Sequence, residues 1–130
     1  MTDEGTTPFP RFGESRAMRL DHDLVRLILL EAEGAQPVDL SAYTIEQIAY
    51  HMSLLISGAY ARGLPFQFAD GSHARFTGLT WKGHEFLDNA RSDIIWNRAK
   101  AHIAEHGGSV SLEVLSAILA QIALKELEVK

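Results

Sequence analysis

Residues 64–80 read LPFQFADGSHARFTGLT, and the fold turns on how this stretch pairs with itself. Leu64, Phe66 and Phe68 recur at every second position before Asp70-Gly71, and Ala74 and Phe76 do so after it, leading to Leu79. A period of two is the mark of a strand with one buried face. An Asp-Gly pair between two such runs predicts a β-hairpin, because Gly accepts the positive φ that tight hairpin turns require. The rest of the patterned chain has the period of a helix.

Immediately upstream, YTIEQIAYHMSLLISGAY (residues 43–60) carries a complete helix-start signal. Thr44 followed three residues later by Gln47 is a capping box, and Tyr43 with Ile48 supplies a hydrophobic staple. Ile45, Ile48, Met52, Leu55 and Ala59 then follow at steps of three and four, predicting a buried stripe that ends at Gly58 or shortly after. An earlier helix is expected from LDHDLVRLILLEAE (residues 20–33), with Asp21 as N-cap, Asp23 in the first turn, and Leu24, Val25, Leu27 and Ile28 inward. Residues 34–43 hold Gly, Pro and Ser and leave room for a loop or a single turn.

Downstream, Thr80 is expected to cap one long helix that runs to Gly107-Gly108. Its inward face would hold Leu87, Ala90, Ile94 and Ile103, with Trp81, Phe86, Ile95 and Trp96 as further apolar contacts. A last helix starts near Ser109 or Ser111 and reaches about Leu127. Its apolar residues, Leu112, Val114, Leu115, Ile118, Leu119, Ile122, Leu124 and Leu127, spread over more than one stripe at 100° per residue. Such a helix either crosses the core or pairs with a second copy of itself, so a homodimer is an expectation.

The chain has 130 residues, 46% apolar and 22% charged, which fits one globular domain with a single core. Zero Cys excludes disulfides, Cys-ligated zinc, iron–sulfur clusters and thiol catalysis. The expected organisation is a flexible tail over residues 1–17, a domain over 18–106, and an apolar C-terminal helix over 107–130 as a dimerisation element. The polar, Pro-punctuated start lacks the pattern of a secretory signal, and no run approaches the ~20 apolar residues of a membrane span, so the cytoplasm is the expected location.

The order helix, short connection, helix, hairpin, helix is that of a degenerate winged helix: mainly α with a small β-hairpin, plus a C-terminal helix. Residues 44–60 occupy the place of the recognition helix and residues 62–79 that of the wing. Four blocks, LDHDLVRLILLEAE, YTIEQIAYHMSLLISGAY, LTWKGHEFLDNARSDIIWNRAK and GSVSLEVLSAIL, resemble an uncharacterised family of small bacterial and phage proteins, a domain of unknown function. The resemblance covers Met18 to about Leu119, and LTWxGHEFLDNxR is its most specific motif. It implies a winged-helix-like fold and no known activity. Because members of the family commonly begin near the equivalent of Met18, that residue is an alternative start.

Most of the motif has a packing explanation. Thr80 caps, Trp81 adds apolar surface, Gly83 lets the helix start approach the sheet, and Phe86 and Leu87 point inward. His84 and Asp88, four apart, read first as a hydrogen-bonded pair on one helix face. His102 and His106 in HIAEH have the spacing of two metal ligands. With no third ligand evident, the negative end of the helix dipole explains them and no metal is assigned. No Walker loop, GxGxxG, GxSxG or paired-carboxylate motif is present, so neither an enzyme nor a cofactor is expected.

The remaining readings are duplex DNA and a protein partner. The formal charge is −5, yet residues 60–100 hold 6 basic and 4 acidic side chains, whereas 18–59 hold 2 basic and 6 acidic. Gln47, His51 and Ser53 could read base edges, while Arg62, His73, Arg75 and Lys82 meet phosphates. This expectation, a DNA-binding regulator, stands slightly ahead of an adaptor or inhibitor that docks on a bacterial or phage protein through Tyr50, Trp96 or the last helix.

Overall fold

Asp21 opens the first helix in the computed structural model, which describes residues 19–64 and 75–129. Its carboxylate accepts from the Leu24 N–H, and α1 (His22–Glu33) buries Leu24, Val25, Ile28, Leu29 and Leu30. Thr44 and Gln47 form the reciprocal capping box of α2 (Ile45–Ser57). The chain then reverses at Ala59, with φ of 69°, into β1 (Ala61–Leu64), which pairs antiparallel with β2 (Arg75–Leu79). Ala61 faces Leu79, Arg62 faces Gly78 and Gly63 faces Phe76, so Thr77 is an extra residue that bends β2. Phe66, Phe68 and the Asp70-Gly71 tip lie outside the described residues.

The expectation of a mainly helical chain with one small hairpin is therefore what the structure shows, with five helices among the described residues. Two local expectations are corrected. The long helix after Thr80 is two helices, α3 (Trp81–Ala90) and α4 (Asp93–Glu105), broken at Arg91-Ser92. Ser92 caps α4 by accepting from the Ile95 N–H at 3.2 Å. Arg26 of α1 takes the free end of α3, donating to the carbonyls of Ala90 (2.7 Å) and Arg91 (3.0 Å) and to Asp93 Oδ1 (2.8 Å). A side chain that satisfies the last carbonyls removes the need for the helix to continue. The break turns Trp96, Ala99 and Ile103 inward and leaves Ile94 outside. Trp81, at the first position of α3, is also outside, 77% exposed.

The second correction is the buried stripe of α2. His51 is buried at 1% exposure, whereas Ile45 is 62% exposed. At 100° per residue, His51 lies about 40° to one side of Leu55, with Ile48, Met52 and Ile45 about 20°, 60° and 80° to the other. Turning His51 into the core swings Ile45 to the flank. Ala59, past the helix end, is exposed too.

The last helix, α5 (Leu112–Val129), starts as expected beyond Ser111, whose hydroxyl accepts from the Val114 N–H. It packs on α3 and α4 and sends Leu115 and Leu119 into the same core as α1, so it is not a separate layer. Gly83 fixes the other side of this assembly. A Cβ there would lie 2.0 Å from the Tyr60 carbonyl oxygen, so only glycine lets α3 begin against the base of the hairpin. No described helix is long and apolar enough to cross a membrane.

Candidate functional site

Two surfaces carry residues able to meet a partner. One is built from α2, the hairpin and the start of α3, where the sequence places its nucleic-acid contacts. Gln47 is half-buried, and its side-chain oxygen accepts from the Thr44 N–H at 2.9 Å. Ser53 is half-buried on the same helix. His51 sits inside: Nδ1 donates to the Gln47 carbonyl at 2.8 Å, which fixes the tautomer, and Nε2 accepts from the Asp21 N–H at 2.8 Å. Both ring nitrogens are used, so His51 has no free edge for a base. Burial pushes its pKa below the ordinary value, and hydrogen bonding to Gln47 and the Asp21 charge offset that only in part.

The cations on this face differ in availability. Arg62 is exposed on β1, with Nη1 3.4 Å from the Leu79 carbonyl. Lys82 is turned inward: Nζ donates to the Gly58 carbonyl at 2.9 Å and to Glu113 at 2.6 Å, and lies 4.4 Å from the centre of the Tyr60 ring. It joins α2, α3 and α5 rather than standing free for a phosphate. Burial and the neighbouring Glu113 charge push the Tyr60 phenol up to about 12, so it is neutral beneath the ammonium. His73 lies outside the described residues, as does the side chain of Arg75.

In the LTWKGHEFLDNAR stretch, Thr80 Oγ1 accepts from the Gly83 N–H and donates to the Ala59 carbonyl, while Phe86 and Leu87 are buried. His84 is exposed. Asp88 accepts from Arg91, which also holds Glu33 at 2.6 Å, and among the described residues no bond joins His84 to Asp88.

The second surface is a groove of about 640 Å³ between α4 and α5. Val114, Ala117, Ile118 and Ile122 form its apolar part, and Arg98, His102, Glu113, Gln121 and Lys125 its polar edges. Arg98 is fixed across it by an ion pair to Glu126. Leu124 and Leu127 are exposed apolar residues further along α5, outside the groove lining. The excess of apolar residues in residues 112–127 signals this surface in the sequence; its partner wall on α4 does not show, because the α3–α4 break sets which α4 residues face it. Trp96 does not belong to any exposed surface: it is 3% exposed and donates from Nε1 to Asp23 at 2.9 Å. Trp81 is the aromatic that takes the exposed role.

Fold and surfaces together define a small, mainly helical protein with one hairpin and a two-helix groove. A family model described as "Hypothetical protein (DUF2513)" matches residues 19–109, and the chain belongs to that family. It is also similar to an "Uncharacterized protein" of Haemophilus influenzae, 29% identical over 112 residues that cover 81% of this chain and 95% of the relative. No solved structure matches the chain.

Proposed function

We propose that the protein is a binding module, not a catalyst, and that its principal partner is another protein docked in the α4–α5 groove. The supporting observation is the groove itself, where an apolar floor is bordered by charged and polar side chains. Contiguous apolar surface with polar margins is the usual anatomy of a protein interface. The charge ledger points the same way. Of the six cations between residues 60 and 100, Lys82, Arg91, Arg98 and Lys100 are each held in an intramolecular ion pair. Arg62 is exposed on the hairpin and in no ion pair among the described residues, and the side chain of Arg75 lies outside them.

Duplex DNA is the second reading, favoured by the helix, hairpin, helix order of a degenerate winged helix and by exposed Arg62 on its hairpin. Two phosphate contacts per chain give a salt slope near −2, about a tenfold loss of affinity between 50 and 200 mM salt. Six would give a loss of more than a thousandfold.

The test is a pull-down from bacterial lysate with and without nuclease, run on the natural protein and on Ile118→Asp, with fluorescence polarisation against random duplex alongside. Capture of a defined protein that survives nuclease and is lost in Ile118→Asp supports the groove. Steeply salt-dependent duplex binding, lost in the Arg62→Ala, Arg75→Ala double variant and kept in Ile118→Asp, replaces it with the DNA regulator. A concentration-dependent rise above 14.4 kDa that Ile118→Asp abolishes would make the docked protein a second copy of the chain. In each version the proposed workplace is the cytoplasm of a bacterial or phage-infected cell.

A further inference from the structure

We propose that the C-terminal end of α4 is a binding site for a divalent transition-metal ion, with His102, Glu105 and His106 as its ligands. This goes beyond the partner-binding reading and does not depend on it. His102 and His106 are one helical turn apart and Glu105 is three residues from His102, so all three project from neighbouring turns of one face. Their ring centroids are 4.6 Å apart, and one donor atom from each of the three side chains lies within 4.8 Å of the others. Donors that share an ion at about 2.0–2.2 Å lie about 3–3.5 Å from one another in a tetrahedral or octahedral shell. The three side chains therefore need to close by at most about 1–2 Å. They are exposed and face solvent, so rotamer changes supply that movement without disturbing the core.

Two features of the site favour an ion over a mere cluster of surface side chains. His106 Nδ1 lies 2.9 Å from the His102 carbonyl oxygen. A carbonyl only accepts, so Nδ1 carries the proton and Nε2 presents its lone pair outward, the support that ligating imidazoles ordinarily receive. The negative end of the α4 dipole lies at the same place and favours a positive charge there. Among the described residues no cation is paired with Glu105, so its carboxylate does not have to abandon a partner. Two neutral imidazoles and one carboxylate suit zinc, nickel or copper(II) rather than calcium or magnesium, which prefer all-oxygen shells. Three protein ligands leave at least one position open, and His102 also lines the α4–α5 groove.

The experiment titrates the full-length, tag-free protein with zinc chloride by calorimetry and with nickel or cobalt chloride by NMR line broadening, before and after EDTA. One saturable, EDTA-reversible equivalent is expected, with broadening centred on residues 102–106. His102→Gln and His106→Gln should each weaken binding by about tenfold or more, since even a disturbed supporting shell costs a metal site that much. Glu105→Gln should weaken it measurably, and His84→Gln should leave it unchanged. All four positions are exposed, so circular dichroism and the melting temperature without metal should match the natural protein. Absence of saturable binding overturns the proposal. So does binding that persists unchanged in the His102→Gln, His106→Gln double variant, or broadening centred on another histidine. Binding indifferent to Glu105→Gln overturns the three-ligand site.

Discussion

Acidification from about pH 7.5 to about pH 5.5 should destabilise the protein through His51. In the folded state its Nε2 lone pair accepts from the Asp21 N–H, so protonation would set donor against donor inside a site that is 1% exposed. The folded pKa therefore lies below 6.5, and below that pH the unfolded chain binds more protons than the folded one. The His51 contribution is fully present above 6.5 and is lost as the pH falls through the unfolded value towards the folded one. An unfolded imidazole passes from about one-tenth to about nine-tenths protonated over this interval. A folded ring that stays neutral throughout would lose about 1.4 kcal/mol, which is the upper bound on the effect. Urea midpoints of the natural protein and of His51→Gln, taken at both pH values, isolate it. Gln keeps an acceptor and a donor but does not titrate, and every other ionisable group is common to the two proteins and cancels in the difference. His51→Gln should cost about 1–2 kcal/mol at neutral pH and show the smaller acid loss. Equal acid losses in the two proteins would refute the buried neutral imidazole.

Three further substitutions probe the joints of the fold. Gly83→Ala should cost about 3 kcal/mol or more in a denaturant melt, because its Cβ would meet the Tyr60 backbone oxygen at 2.0 Å and backbone cannot step aside; a change under about 0.5 kcal/mol, the scale of an innocuous surface substitution, would show that α3 does not start against the hairpin. Ala59→Gly should raise stability by up to about 1 kcal/mol, since Ala59 is exposed and holds φ of 69° where glycine has no steric penalty; a lowered midpoint would contradict that backbone. Arg26→Leu should cost about 2 kcal/mol by stripping the Ala90 and Arg91 carbonyls of their partner, and Arg26→Lys should restore little because an ammonium cannot span the same fork; full rescue by Lys would mean that charge, not geometry, closes α3.

What the sequence makes legible in this fold is what local chemistry decides. The capping box at Thr44, the N-caps at Asp21 and Thr80, the stop at Gly107-Gly108 and the change of period after Tyr60 depend on residues within a few positions of one another. The α3–α4 break has a local half, Ser92 followed by Asp93, but Ser is common enough inside helices that it does not announce a break alone. What makes the break stable is Arg26, 64 residues away from the carbonyl it binds. His51 is similar. On its own helix it flanks an apolar stripe, and only the Asp21 N–H, 30 residues back, turns it from a surface contact into a core residue.

Long-range pairing also decides which of the cations counted in the sequence stand free. Counting cations by segment makes residues 60–100 a basic face, yet ion pairs close over long sequence distances. Lys82 finds Glu113, 31 residues on, and Lys100 finds Asp23, 77 residues back. At Asp23, burial raises the carboxyl pKa, but hydrogen bonds from Lys100 and Trp96 and the charges of Lys100 and Arg26 outweigh it and hold it below the ordinary range. Cations that appear positioned for phosphates instead anchor α1, α3, α4 and α5 to one another. Lys82, held by the exposed Glu113 carboxylate and the Gly58 carbonyl, must lose both before it reaches a phosphate. The apolar excess of α5 is not cancelled in this way. Leu115 and Leu119 satisfy the core, and Val114, Leu124 and Leu127 remain outside it, uncovered by any other described residue.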